Sequence, residues 1–70
     1  MFFSQKDKIT SLDVVDKTLH DMGNQLSKER REEIAVEILE TAYSIGASFK
    51  PRVLTQILRT LMKDGYFNDQ

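Results

Sequence analysis

The stretch "EEIAVEILETAYSIG", residues 32–46, decides the fold. Ile34, Ala35, Ile38, Leu39, Ala42 and Ile45 recur three and four residues apart, which places them on one stripe of an α-helix. Val36 and Tyr43, seven residues apart, share a flanking face. Gly46 reads as the stop, because it takes a left-handed backbone without strain. Upstream, Ser27 reads as the N-cap. Between cap and stripe lies "KERREE", residues 28–33. Its three bases offset its three acids, so it reads as a solvated first turn and a half rather than a nucleic-acid patch. The spacing therefore predicts a helix over 28–45.

The same pattern recurs on either side. Downstream, "GASFKPRVLTQILRTLMKDGYF" occupies residues 46–67. Pro51 fits a first turn, where its missing N–H has no partner to lose. Leu54, Ile57, Leu58 and Leu61 form an inner stripe with Val53 and Met62 beside it, and Gly65 ends the run. This predicts a helix over 50–64, with Tyr66 and Phe67 folding back on the core. Upstream, "ITSLDV" at 9–14 has the chemistry of a helix start. Thr10 serves as N-cap, Asp13 as its partner three residues on, and Ile9 and Val14 as a hydrophobic staple. Leu12, Val15, Leu19 and Met22 give the stripe and Gly23 the stop, predicting a helix over 11–22. Ser4 and Asp7 also have capping-box spacing, so residues 1–9 read as flexible or as a short extra helix.

No segment alternates with the period of a strand. The expectation is a single all-α domain over 1–70, a small three-helix bundle in which a helix-turn-helix core is one arrangement of the short connections. A chain of 70 residues buries only about 60% of its unfolded surface and is marginally stable. It has no Cys and one His, which leaves out disulfides, thiolate metal sites and His-rich zinc sites. Tight helix packing or self-association is what remains to stabilise it.

Composition also narrows function. Apolar residues make up 40% and charged residues 30%, a balance that suits a folded soluble domain. No apolar run approaches the ~20 residues of a membrane span. "MFFSQKDK" lacks the apolar core of a signal peptide, which points to a cytoplasmic protein. His20 is the only imidazole and reads as a surface or boundary residue beside Leu19. Asp13 and Asp16 sit where acids favour the positive end of a helix. There is no Gly-rich phosphate loop, and "DGYFND" lacks EF-hand spacing. The expectation is a non-enzyme with no cofactor and no metal.

The net charge of −1 hides a division. Residues 1–49 carry six basic and nine acidic side chains, whereas residues 50–70 carry four basic and two acidic ones. Within the second part, Arg52, Gln56, Arg59 and Lys63 fall on one helix face opposite the inner stripe, with Thr55 alongside and Lys50 just before. Arg and Gln suit guanine and adenine edges, and Lys suits a phosphate. The segment "LTQILRTLMKDGYF" resembles the recognition helix and following strand start of winged-helix regulators. The resemblance spans residues 38–67 and includes no wing. It implies a helix-turn-helix DNA-binding module in which Arg52, Gln56 and Arg59 read bases and Lys50 and Lys63 hold phosphates. The same face reads in the first place as the polar wall of a bundle, with Arg59 and Lys63 complementing the helix C-terminus or pairing with Glu33, Glu37 or Glu40.

Phe2, Phe3, Tyr43, Tyr66 and Phe67 are many aromatics for so small a core. They read either as closures of the bundle ends or as an interface, since aromatics are enriched at interfaces. The functional expectation is a small regulatory module that acts by helical protein–protein contact, with a protein partner or a second copy in a homodimer. DNA binding through the third helix is the alternative.

Overall fold

The structure, a computed structural model, describes residues 3–67. Three helices follow one another: α1 (Gln5–Asp21), α2 (Lys28–Ser44) and α3 (Pro51–Lys63). All three pairs of helices are in contact, α1 and α2 most extensively, and there is no strand among the described residues. The small all-α three-helix bundle is as expected. Its radius of gyration of 11.0 Å matches the ~11 Å of a compact chain of this length.

The helix stops follow the glycines. Gly23, Gly46 and Gly65 have φ of 73°, 74° and 79°, and each sits at the turn of a Schellman motif. The N–H of Gly46 donates to the Tyr43 carbonyl at 3.2 Å and that of Ala47 to the Ala42 carbonyl at 2.8 Å. Gly23 with Asn24 and Gly65 with Tyr66 repeat both bonds at the ends of α1 and α3. Carbonyls that a helix end leaves open are thereby satisfied three times over.

One start differs from expectation. α1 begins at Gln5, not near Thr10, and runs unbroken through "ITSLDV". Ser4 is the N-cap, and its hydroxyl accepts from the Asp7 N–H at 3.1 Å. Nothing between Gln5 and Thr10 breaks a helix, so the cap nearer the chain start prevails. Thr10 is thus an interior residue, and Ile9 is no staple but an exposed side chain. Ser27 caps α2 in the expected way, accepting from the Arg30 N–H at 3.1 Å. Lys50 precedes α3 without a side-chain capping bond.

The core lies where the three stripes meet. Val15, Ile38, Leu39, Ala42, Leu54 and Leu58 are fully enclosed. On α1 the buried stripe is rotated from the expected one. Ser11, Val14 and Thr18 are buried beside Val15 and Leu19, while Leu12 is half-buried and Met22 is exposed. Ser11 explains the rotation. Its hydroxyl donates to the Ala35 carbonyl of α2 at 2.7 Å. Two small side chains let α1 and α2 approach closely there, and the bond satisfies a polar group that burial would otherwise penalise. Arg31 and Asp16, 2.9 Å apart, tie the same helices at the surface.

Candidate functional site

Helix α3 divides most sharply of the three into an apolar and a charged side. Its buried residues are Leu54 and Leu58. Lys50, Arg52, Gln56, Arg59 and Lys63 are all exposed, and Thr55 is half-buried. The structure thus brings the proposed DNA contacts together along one helix. Arg52, Arg59 and Lys63 form no ion pair among the described residues, and the suggested links to Glu33, Glu37 or Glu40 within the chain are not made. The surroundings are mixed in charge. Arg52, Thr55 and Arg59 share the groove between α1 and α3 with Asp13, Lys17 and Asp21. Those acids reduce the attraction of this side for phosphate.

The aromatics divide into two groups. Phe3 and Phe49 meet edge to face with centroids 5.6 Å apart and close one end of the bundle. Phe67 packs on the core at the other end, with the Arg30 guanidinium 5.8 Å from its ring centroid. Tyr43 and Tyr66 stay exposed, at 58% and 61%. The Tyr66 hydroxyl reaches Glu37 at 3.4 Å while its ring meets Phe67 edge to face. Phe2 lies outside the described residues.

A further feature lies between α2 and α3. Thr41 of α2 and Ile45, its C-cap, face Val53, Gln56, Ile57, Thr60 and Leu61 of α3 across a shallow groove of about 360 Å³. Its walls are largely apolar. Ile45 is 66% exposed, the most exposed large hydrophobic side chain among the described residues. Spacing alone assigns Ile45 to the inner stripe of α2 and Val53 to the flank of the α3 stripe. One signal was available: Ile45 directly precedes the glycine stop, and a C-cap residue has left the helical column that points to the core.

The side chains that line this groove are uncharged, and Arg52, Arg59 and Lys63 line the grooves on the α1 side of α3. The outer side of α2 carries Glu29, Glu33, Glu37 and Glu40, spaced by four, four and three. The outer side of α3 carries Arg52, Gln56, Arg59 and Lys63. The two helices run in opposite directions. Ile45 and Val53 share one end of the groove, whereas the tail after α3 reaches Glu37 and Arg30 further back along α2.

No group of three or more metal-binding side chains is assembled among the described residues. Every buried side-chain nitrogen and oxygen among them has a hydrogen-bond partner. No described helix is long and apolar enough to cross a membrane. Comparison with protein-family models, with curated proteins and with solved structures finds no match to this chain.

Proposed function

We propose that this chain is a small non-enzymatic regulatory module that acts by protein–protein contact through the face formed by α2 and α3. The observation that carries this reading is exposed Ile45 beside the largely apolar groove that half-buried Val53, Ile57 and Leu61 line. An exposed hydrophobic residue that continues into an apolar groove gives a partner side chain a place to bury against. The polar groups inside the bundle are paired with one another, so they have a structural task already. Site-specific photo-crosslinking in the cells that make the protein tests the reading. A benzophenone side chain at Ile45 is expected to give protein adducts, and the same group at exposed Lys6 of α1 is expected to give few. Equal yields from both positions, or none from Ile45, would overturn it.

The second reading is DNA binding through α3. Its support is the row of Arg52, Gln56, Arg59 and Lys63, exposed and without ion pairs among the described residues. Non-specific binding has dissociation constants of about 10⁻⁴ to 10⁻⁶ M at physiological salt and weakens steeply as salt rises. Fluorescence anisotropy with a mixed-sequence duplex therefore needs no knowledge of an operator. Binding in that range, lost in Arg59→Glu with helicity intact, would favour this second reading. No binding at millimolar protein in low salt would end it.

A further inference from the structure

We infer that the cleft at the end of the bundle, where α1 and α3 stop and α2 starts, docks a short acidic peptide segment of a partner protein. A large apolar side chain of that segment seats against Met22, Leu26, Met62 and Phe67. An aspartate or glutamate beside it pairs with Arg59 and Lys63. The cleft shares no lining residue with the α2–α3 groove, so the inference goes beyond the reading of that face and is tested separately from it.

The cleft is built by all three helices and two connecting segments. Leu19 near the end of α1 and Ile34 of α2 are core residues that form its floor. The turn after α1 supplies half-buried Leu26, the end of α3 half-buried Met62, and the tail half-buried Phe67. Met22, 47% exposed, completes the apolar wall. The space is about 600 Å³, within the range of ~300–1,000 Å³ common for ligand sites. The chain has three methionines, and both that follow Met1 line this cleft. Methionine is unbranched and polarizable, so its side chain reshapes around an incoming apolar group.

Charge and hydrogen-bonding capacity identify the occupant. Arg59 and Lys63 line the cleft, and no Asp or Glu does. Both cations are exposed and form no ion pair among the described residues. Asp21 shares the adjoining α1–α3 groove with Arg59 and does not line the cleft. Carbonyls at the ends of α1 and α3 already accept from the N–H groups of the glycine turns, so neither cation is engaged as a cap. A nucleic-acid backbone would meet the cations and leave the apolar wall uncovered. A neutral peptide would cover the wall and leave the cations unmatched. A carboxylate next to an apolar side chain satisfies both. Exposed Asn24 and Gln25 line the same cleft. Their amides donate and accept, which is what the backbone of a bound peptide requires.

Selection of random short peptides displayed on phage, with the full chain as bait, tests the inference. Enriched sequences are expected to carry Asp or Glu beside a large apolar residue. The leading sequence is then synthesised and titrated by calorimetry. Arg59→Gln with Lys63→Gln is expected to bind it about tenfold more weakly, and Met22→Gln also weakens it. Lys6→Gln with Lys50→Gln removes the same charge near Phe3 and Phe49 at the other end of the bundle, and binding stays as in wild type. Added salt weakens binding to wild type more than to the Arg59 and Lys63 double variant. Far-ultraviolet circular dichroism checks that each variant keeps its helices. If one does not, methyl resonances of the wild type decide, with Met22 and Met62 shifting on titration and Ile45 not. The inference fails if no peptide is enriched, if the enriched peptides carry no acid, or if binding survives loss of both cations. A peptide lost in Ile45→Lys but kept by the double variant would overturn the cleft and support the α2–α3 reading instead. If no peptide is enriched while a DNA duplex binds and the double variant abolishes that binding, the cations serve phosphate and the inference is overturned.

Discussion

At the scale of single residues, Ser11 carries more of the fold than its chemistry suggests. It is fully buried on α1 and donates to the Ala35 carbonyl across the contact with α2. A larger side chain would hold the two helices apart, and overpacking a filled core costs about 1–3 kcal/mol. Loss of the hydroxyl alone is milder. The Ala35 carbonyl lies inside α2 and keeps a helical partner, so only the net value of one neutral hydrogen bond is lost. Ser11→Ala is therefore expected to lower stability by about 1 kcal/mol, and Ser11→Leu by more. Urea unfolding followed at the helical band would show both, and an unchanged midpoint in Ser11→Leu would contradict the close approach. Arg31 and Asp16 join the same two helices but remain partly solvated, at 33% and 42% of side-chain exposure. A pair that wet contributes at most about 1 kcal/mol. Asp16→Asn is correspondingly milder than Ser11→Leu.

At the scale of the element, the stops were legible in the sequence and one start was not, for a physical reason. A helix ends where the backbone turns left-handed, and Gly23, Gly46 and Gly65 allow that turn where the surrounding residues do not. A start is less restricted. Ser4 with Asp7 and Thr10 with Asp13 offer the same local chemistry, and the second pair is equally compatible with a helix interior. The fold uses Ser4, and this adds the turns that carry Phe3 toward Phe49. Two substitutions separate the two starts. Ser4→Ala removes a capping acceptor and is expected to cost about 1 kcal/mol, with faster hydrogen exchange in the first turn of α1. Thr10→Ala is expected to be close to neutral, because alanine is the better helix former by a few tenths of a kcal/mol. The reverse order in urea midpoints would place the start at Thr10. The rotation of the α1 stripe was hidden in the same way. Hydropathy ranks Leu12 and Met22 above Ser11 and Thr18, but at a close helix crossing small side chains are the ones that fit.

At the scale of the whole molecule, the architecture follows from periodicity alone, because three amphipathic stripes on a chain this short have few ways to be buried together. The candidate site was less legible. Arg52, Gln56, Arg59 and Lys63 could be assigned to one face from their spacing, but spacing cannot say which apolar residues that face adjoins. That depends on how α3 lies against α2, and it is this packing that leaves Ile45 outside the core. Self-association, one form of the protein–protein contact proposed for this face, would bear directly on stability. A small core supplies little free energy, and a partner that binds only the folded state adds to it by mass action. If a second copy docks on the α2–α3 groove, folding and association share one equilibrium, and the thermal midpoint rises with protein concentration. At a free concentration one hundred times the dissociation constant, the added stabilisation is ~2.7 kcal/mol. In a domain of this size each kcal/mol moves the midpoint by about 4–8 °C, so a shift of ten degrees or more is expected across a wide dilution series. Ile45→Lys should keep the helical spectrum and unfold at one midpoint whatever the concentration. A wild-type midpoint that is equally insensitive to dilution would mean that the bundle is stabilised by its own packing alone, with Ser11 and the three glycine-capped helices sufficient to hold it.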